Sequence, residues 1–165
     1  MSQVRRLIAA SRIRRGSRRG RGAAIVEFAL VAAIFLLLIV SIVELGLMFW
    51  VTLTMQYAVR EGSRYAITGL SDPSSTPWES VIAKAKASAM GQWDAVSPVI
   101  AVTLNPGPSE TFPPYGAGMF GKAGDIVVFR INCTWPLYTP MMRAFFTDGN
   151  YTFSVAATMR NEGAQ

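Results

Sequence analysis

From Phe28 to Val43 the chain carries one polar side chain, Ser41, in sixteen residues, and extension to Leu53 adds only Glu44 and Thr52 as strongly polar interruptions. As a helix rising 1.5 Å per residue, Phe28–Val43 is about 24 Å long and Phe28–Leu53 about 39 Å. A hydrocarbon core is about 30 Å thick, so this pattern predicts one transmembrane helix. The same helical pattern continues through "TMQYAVREGSRYAI", where Met55, Ala58, Val59, Tyr65 and Ala66 lie near one side. Arg60 and Arg64, one turn apart, make a basic edge, read either as a solvated face or as a docking surface for lipid headgroups or a partner. Thr68-Gly69 supplies a stop.

The pattern then shortens. "SDPSSTP", 71 to 77, is a linker, and Thr76, Pro77 and Glu79 have the N-cap, N1 and capping-box places of a second helix. That helix runs to about Met90 with a Trp78, Val81, Ile82, Ala85, Ala89 stripe for packing on a sheet, and Lys84 and Lys86 elsewhere. Strands are expected at 97–104, at 125–135 and at 151–160, with a long Pro/Gly-rich surface loop over 105–124. Alternation puts Val127, Phe129, Ile131, Cys133 and Trp135 on one face of the second strand, and Tyr151, Phe153, Val155, Ala157 and Met159 inward on the third. "PLYTPMMRAFF" predicts a short helix and "TDGN" a turn. The expected architecture is α+β: a long N-terminal transmembrane helix, a second helix and an antiparallel sheet of about three strands. Its divisions are a basic leader over 1–22, a transmembrane and stalk helix over 23–69 and an extracytoplasmic domain over 70–165. So small a domain cannot bury the apolar half of the long helix, which must use lipid and then other subunits.

Charge gives this outline a direction. Eight of the sixteen Lys and Arg residues are arginines before residue 23, so the net charge of +6 describes a leader and not the body. Without them the body has eight basic and ten acidic residues, a sum of −2. The positive-inside bias places the N-terminus in the cytoplasm and the C-terminal domain outside. The apolar run exceeds a signal-peptide core and shows no clear small-x-small site, so the segment is expected to stay attached.

Two carboxylates interrupt the apolar region. Glu44 lies seventeen residues after Glu27, about 260° around a helix, so the two do not form a pair. Glu44 is expected at the outer interface or against a partner helix, with Phe49, Trp50 and Tyr57 resembling an aromatic belt just beyond it. Glu27 is explained either as a first-turn acid favoured by the helix dipole or through the Gly22-Ala23 step. A cut there would make Ala23 a free N-terminus one turn from Glu27, and its amine would need a counter-charge at membrane depth.

At these residues the chain resembles type IV prepilins, and more closely the TadE-like pilus assembly proteins of tight-adherence systems. The stretch "GAAIVEFALV…VELGLMF…AVREGSRYA", Gly22 to Ala66, carries the resemblance through its "VEFAL" box, Glu44-Leu45-Gly46 and the "REGSR" box, Arg60 to Arg64. It covers about 45 residues; the rest agrees by layout alone. Many such proteins have a proline shortly after "EFAL", where this chain has Val31-Ala32-Ala33, so no kink is expected there. The resemblance implies cleavage after Gly22 by a prepilin peptidase, and partnership with other pilus or pseudopilin subunits. Phe28, Glu44, Arg60, Glu61 and Arg64 are the expected lipid or subunit contacts.

Other classes fit less well. With no histidine and one cysteine, Cys133, the usual general base, nucleophile pairs and metal ligand sets are missing, so neither catalysis nor a metal or cofactor is expected. "GAGMFGKAG" lacks the Ser/Thr and the strand-loop-helix setting of a phosphate loop. The arginine-rich leader lacks interleaved aromatics and abuts a membrane span, so topology explains it better than nucleic acid. No small-molecule substrate is indicated. Two non-enzymatic readings stay open: a processed pilin-like subunit, and an uncleaved single-pass scaffold of a secretion system.

Overall fold

A computed structural model describes residues 18–68, 75–105, 109–112 and 118–162. The leader as far as Ser17, the Gly69 stop and linker residues 71–74 lie outside the described residues. The chain divides into two units, at Val40/Ser41. One helix, α1 (Arg18–Ile67), supplies the described part of the first unit and the opening of the second. It is helical through Val31–Ala33, as the lack of proline there predicts.

In the first unit, α1 presents apolar residues all round. Within the second unit its pattern changes to one buried stripe: Glu44, Met48, Val51, Met55, Ala58, Val59 and Gly62 recur at steps of mostly three and four. The hydroxyls of Thr54 and Ser63, also buried, donate to carbonyls one turn back, at Trp50 and Val59, so neither needs an outside partner. The sheet that completes this core is antiparallel, in the order β2-β1-β3-β4. Its strands are β1 (Val99–Leu104), β2 (Ser109–Phe112), β3 (Ile126–Pro136) and β4 (Asn150–Arg160). β3 is central, and its expected inward row is buried from Val127 to Trp135, with Phe129 the largest side chain wholly withdrawn from solvent. β4 is an edge strand, so only Val155 and Met159 of its inward row are buried, while Tyr151, Phe153 and Ala157 are half-buried.

Helix α2 (Pro77–Ser88) starts as its sequence predicts. Glu79 Oε2 accepts the Thr76 backbone N–H at 2.8 Å and the Thr76 hydroxyl at 2.7 Å. Those two bonds, the backbone one first, hold the Glu79 carboxyl below the usual carboxylate range. Val81, Ala85 and Ala89 are buried in the core, and Trp78 and Ile82 pack at its margin. Met90 and Gly91, at φ of 49° and 80°, turn the chain out of the helix.

The expected loop over 105–124 needs correction. It contains a fourth strand, β2, pairing antiparallel with β1 from Ile100↔Phe112 to Thr103↔Ser109. The glycines at its end serve the chain's own anion. Lys122 N–H donates to Asp125 Oδ2 and Asn105 Nδ2 to Asp125 Oδ1, both at 2.7 Å. Gly121 has φ of 71°, and a Cβ there would lie 2.7 Å from Asp125 Oδ2, so only glycine lets the turn close on that carboxylate. The Lys122 N–H, and after it the Asn105 amide, hold the Asp125 carboxyl below its ordinary range.

Cys133 belongs to the core, as its strand parity predicts, and burial pushes its thiol up to about 12. Iodoacetamide should therefore label the folded chain at pH 8 roughly a thousandfold more slowly than an exposed thiol, with full labelling after unfolding in denaturant. Fast labelling of the native protein would contradict this placement.

Candidate functional site

The first candidate is the surface of α1 itself. Every large apolar side chain from Ile25 to Leu47 is exposed, sixteen of them, including Phe28 at 74%. Water-soluble monomers present apolar patches of roughly 300–600 Å² at most. A surface of this kind needs lipid or protein around it. Among the described residues, Gly22–Ile67 is the one helical segment long and apolar enough to cross a membrane. That is the form of a single-pass membrane protein.

Gly22, Ala23 and Glu27 lie on this surface, all exposed. The described helix already includes Arg18, so the Gly22–Ala23 bond lies within it.

Glu44, expected at the outer interface or against a partner helix, is 3% exposed within the second unit, so its own chain and not lipid or a partner covers it. Its Oε1 accepts the N–H of Tyr138 at 2.7 Å and of Thr139 at 3.2 Å. Both donors follow β3 and precede the short helix α3 (Pro140–Arg143). A carboxylate accepting two backbone N–H groups forms charge-assisted bonds, about twice as strong as neutral ones. The signal for this was in the sequence: Glu44 precedes Met48, Val51 and Met55 by four, seven and eleven residues, so it heads the buried stripe. Nothing local to Tyr138 or Thr139 marks them as its partners.

The "REGSR" box divides by face. Arg60 and Arg64 are exposed, and Glu61 is partly covered. Arg64 approaches Glu61 only to 3.9 Å, an ion pair that at this exposure contributes little. The basic edge thus stays accessible to a partner. Gly62 points the other way. A Cβ there would stand 3.0 Å from Ala85 Cβ, 3.5 Å from the Phe129 ring and 3.5 Å from Val81 O. Gly62 is the place where α1, α2 and β3 meet, and its lack of a side chain sets their spacing. Thus the boxes bring Gly22, Ala23, Glu27 and Phe28 onto one exposed helix segment, and place Glu44 and Gly62 inside the second unit.

No curated protein and no solved structure matches the chain. A family model does match over residues 22–64, and that span holds the Gly22–Ala23 step, the exposed apolar helix, Glu44 and the "REGSR" box together. Over those residues the chain is similar to TadE-like proteins, a family of Tad pilus assembly.

Proposed function

We propose that the chain is a pilin-like membrane protein, a minor pilin or pseudopilin, that takes part in assembling a type IV Flp/Tad pilus for surface adherence. The observation that carries this is the row of exposed large apolar side chains on α1 from Ile25 to Leu47. Such a helix is at home in lipid and can leave it only by burying the same residues against equivalent helices. The proposed role is therefore non-enzymatic, and its mechanism is packing. The arginine-rich leader holds the N-terminus in the cytoplasm, and the second unit lies in the periplasm. Prepilin peptidase cuts after Gly22, and Glu27 then neutralises the new Ala23 amine in its own chain or a neighbouring one. Lipid, the peptidase and other Tad subunits are the partners in this reading.

One observation favours the second reading, an uncleaved single-pass scaffold: α1 runs through the Gly22–Ala23 bond from Arg18. Intact mass of the protein extracted from its native membrane separates the two. An N-terminus at Ala23, lost when the peptidase is inactivated, is the expected result. A full leader in cells with active peptidase would reject processing and leave the scaffold.

A further inference from the structure

The β3–β4 connection is a fastened loop. Leu137 N–H donates to Gly149 O at 3.3 Å, and Arg143 Nε donates to Leu137 O at 2.7 Å. The side chain of Arg143 also lies against Gly149, where a Cβ would stand 3.2–3.4 Å from it. Glu44 ties the start of this loop to α1 through Tyr138 and Thr139.

A loop held this firmly nevertheless turns two rings outward, Tyr138 at 66% and Phe145 at 77% exposed. A lone exposed ring is ordinary. These two, however, belong to a loop tied to Glu44, whose helical neighbours Ile42, Val43, Leu45, Leu47 and Phe49 are exposed as well. Arg143, on the same loop, is exposed between them in sequence. Length along α1 says what surrounds such a group. The 21 steps from Ala23 to Glu44 rise about 32 Å at 1.5 Å each. A hydrocarbon core is about 30 Å thick, so with Ala23 at one boundary Glu44 stands at the other. Tyrosine rings and arginines concentrate at that level, where an apolar body and a polar tip are both satisfied, and a phenylalanine ring there reaches into the acyl boundary.

We infer that the loop from Leu137 to Phe146 is a second membrane-contacting element, which sets Tyr138 and Phe145 into the outer headgroup boundary with Arg143 beside lipid phosphates. Glu44 is the positioning residue that holds the loop at this depth. The inference rests on the membrane reading above. It makes the second unit a body seated on the bilayer at two places, where a chain spanning by α1 alone has one.

The test uses the full chain in vesicles of phosphatidylethanolamine and phosphatidylglycerol. Because Cys133 is buried, a thiol-reactive NBD dye can be placed singly by Phe145→Cys, Lys84→Cys or Leu38→Cys. Lipids carrying a nitroxide near the headgroup should dim the Phe145 dye about twofold, and deep nitroxides less, for a group set within about 5–10 Å of the boundary. The dye at Leu38 should respond most to the deep nitroxide, and the dye at Lys84 to neither. If the Phe145 dye ignores both nitroxides while the Leu38 dye responds, the loop is not in the membrane and the inference falls, with the span intact. A Phe145 dye shielded from aqueous iodide yet untouched by lipid nitroxides would mean that protein covers the loop, which also overturns it. If the Leu38 dye is unaffected, the membrane reading fails and takes the inference with it.

Discussion

Gly62→Leu is expected to cost the second unit about 3 kcal/mol, because extra methylenes at a close-packed junction force strain that the surroundings cannot absorb. Two of the three nearest obstacles are rigid. Val81 O is backbone, and the Phe129 ring is fixed in a strand with no solvent on any side. Ala85 Cβ could retreat only by moving α2 away from the sheet. In detergent micelles, the full chain's near-UV circular dichroism transition should fall by roughly 10 °C for a loss of this size in a unit of this length. Gly62→Ala is the informative control. Alanine gains about 1 kcal/mol of helix propensity over glycine, while its Cβ meets that of Ala85 at 3.0 Å, tighter than most real contacts. The two effects oppose each other, so the alanine variant should melt close to the parent. A leucine variant that melts with the parent would show that α1 and α2 do not approach at Gly62.

That same residue shows where sequence reading stops. Arg60 and Arg64 were legible as an edge because an exposed pair one turn apart is a local pattern. The reason for the glycine between them was not, because Ala85 and Phe129 are 23 and 67 residues away and no local periodicity encodes that meeting. The long strands were legible for the opposite reason. β3 alternates over eleven residues between a core and an outer face, so its parity alone assigned Phe129 and Cys133 inward. β2 has four residues, set in a Pro/Gly-rich stretch, and exists because β1 offers it an edge to pair with. Backbone hydrogen bonds lent by a neighbour leave no mark on the borrowing segment. The N-terminal surface was the most legible of all, since an apolar run with so few polar interruptions has the same meaning whatever the rest of the chain does.

Glu44 joins the legible and the hidden, and its replacement should act locally before it acts globally. In Glu44→Leu, the N–H groups of Tyr138 and Thr139 lose their common acceptor. An orphaned donor of this kind costs about 1–3 kcal/mol. With about 2 kcal/mol, their amide hydrogen exchange should quicken roughly 30-fold, since each 1.4 kcal/mol is a factor of ten. Glu44→Gln keeps an oxygen acceptor and loses only the charge-assisted part, so less than about tenfold is expected there. Melting temperature is the weaker readout. A buried carboxylate carries a desolvation cost that leucine does not, and leucine would extend the apolar stripe of Met48, Val51 and Met55. The two effects can cancel in a global transition while the loop still comes free, which is why the amides of Tyr138 and Thr139 decide the matter. If both exchange at the parental rate in Glu44→Leu, the carboxylate does not fasten the loop. If they quicken, the Phe145 dye in the same variant should lose its preference for the shallow nitroxide, because a loop cut from α1 has no fixed depth.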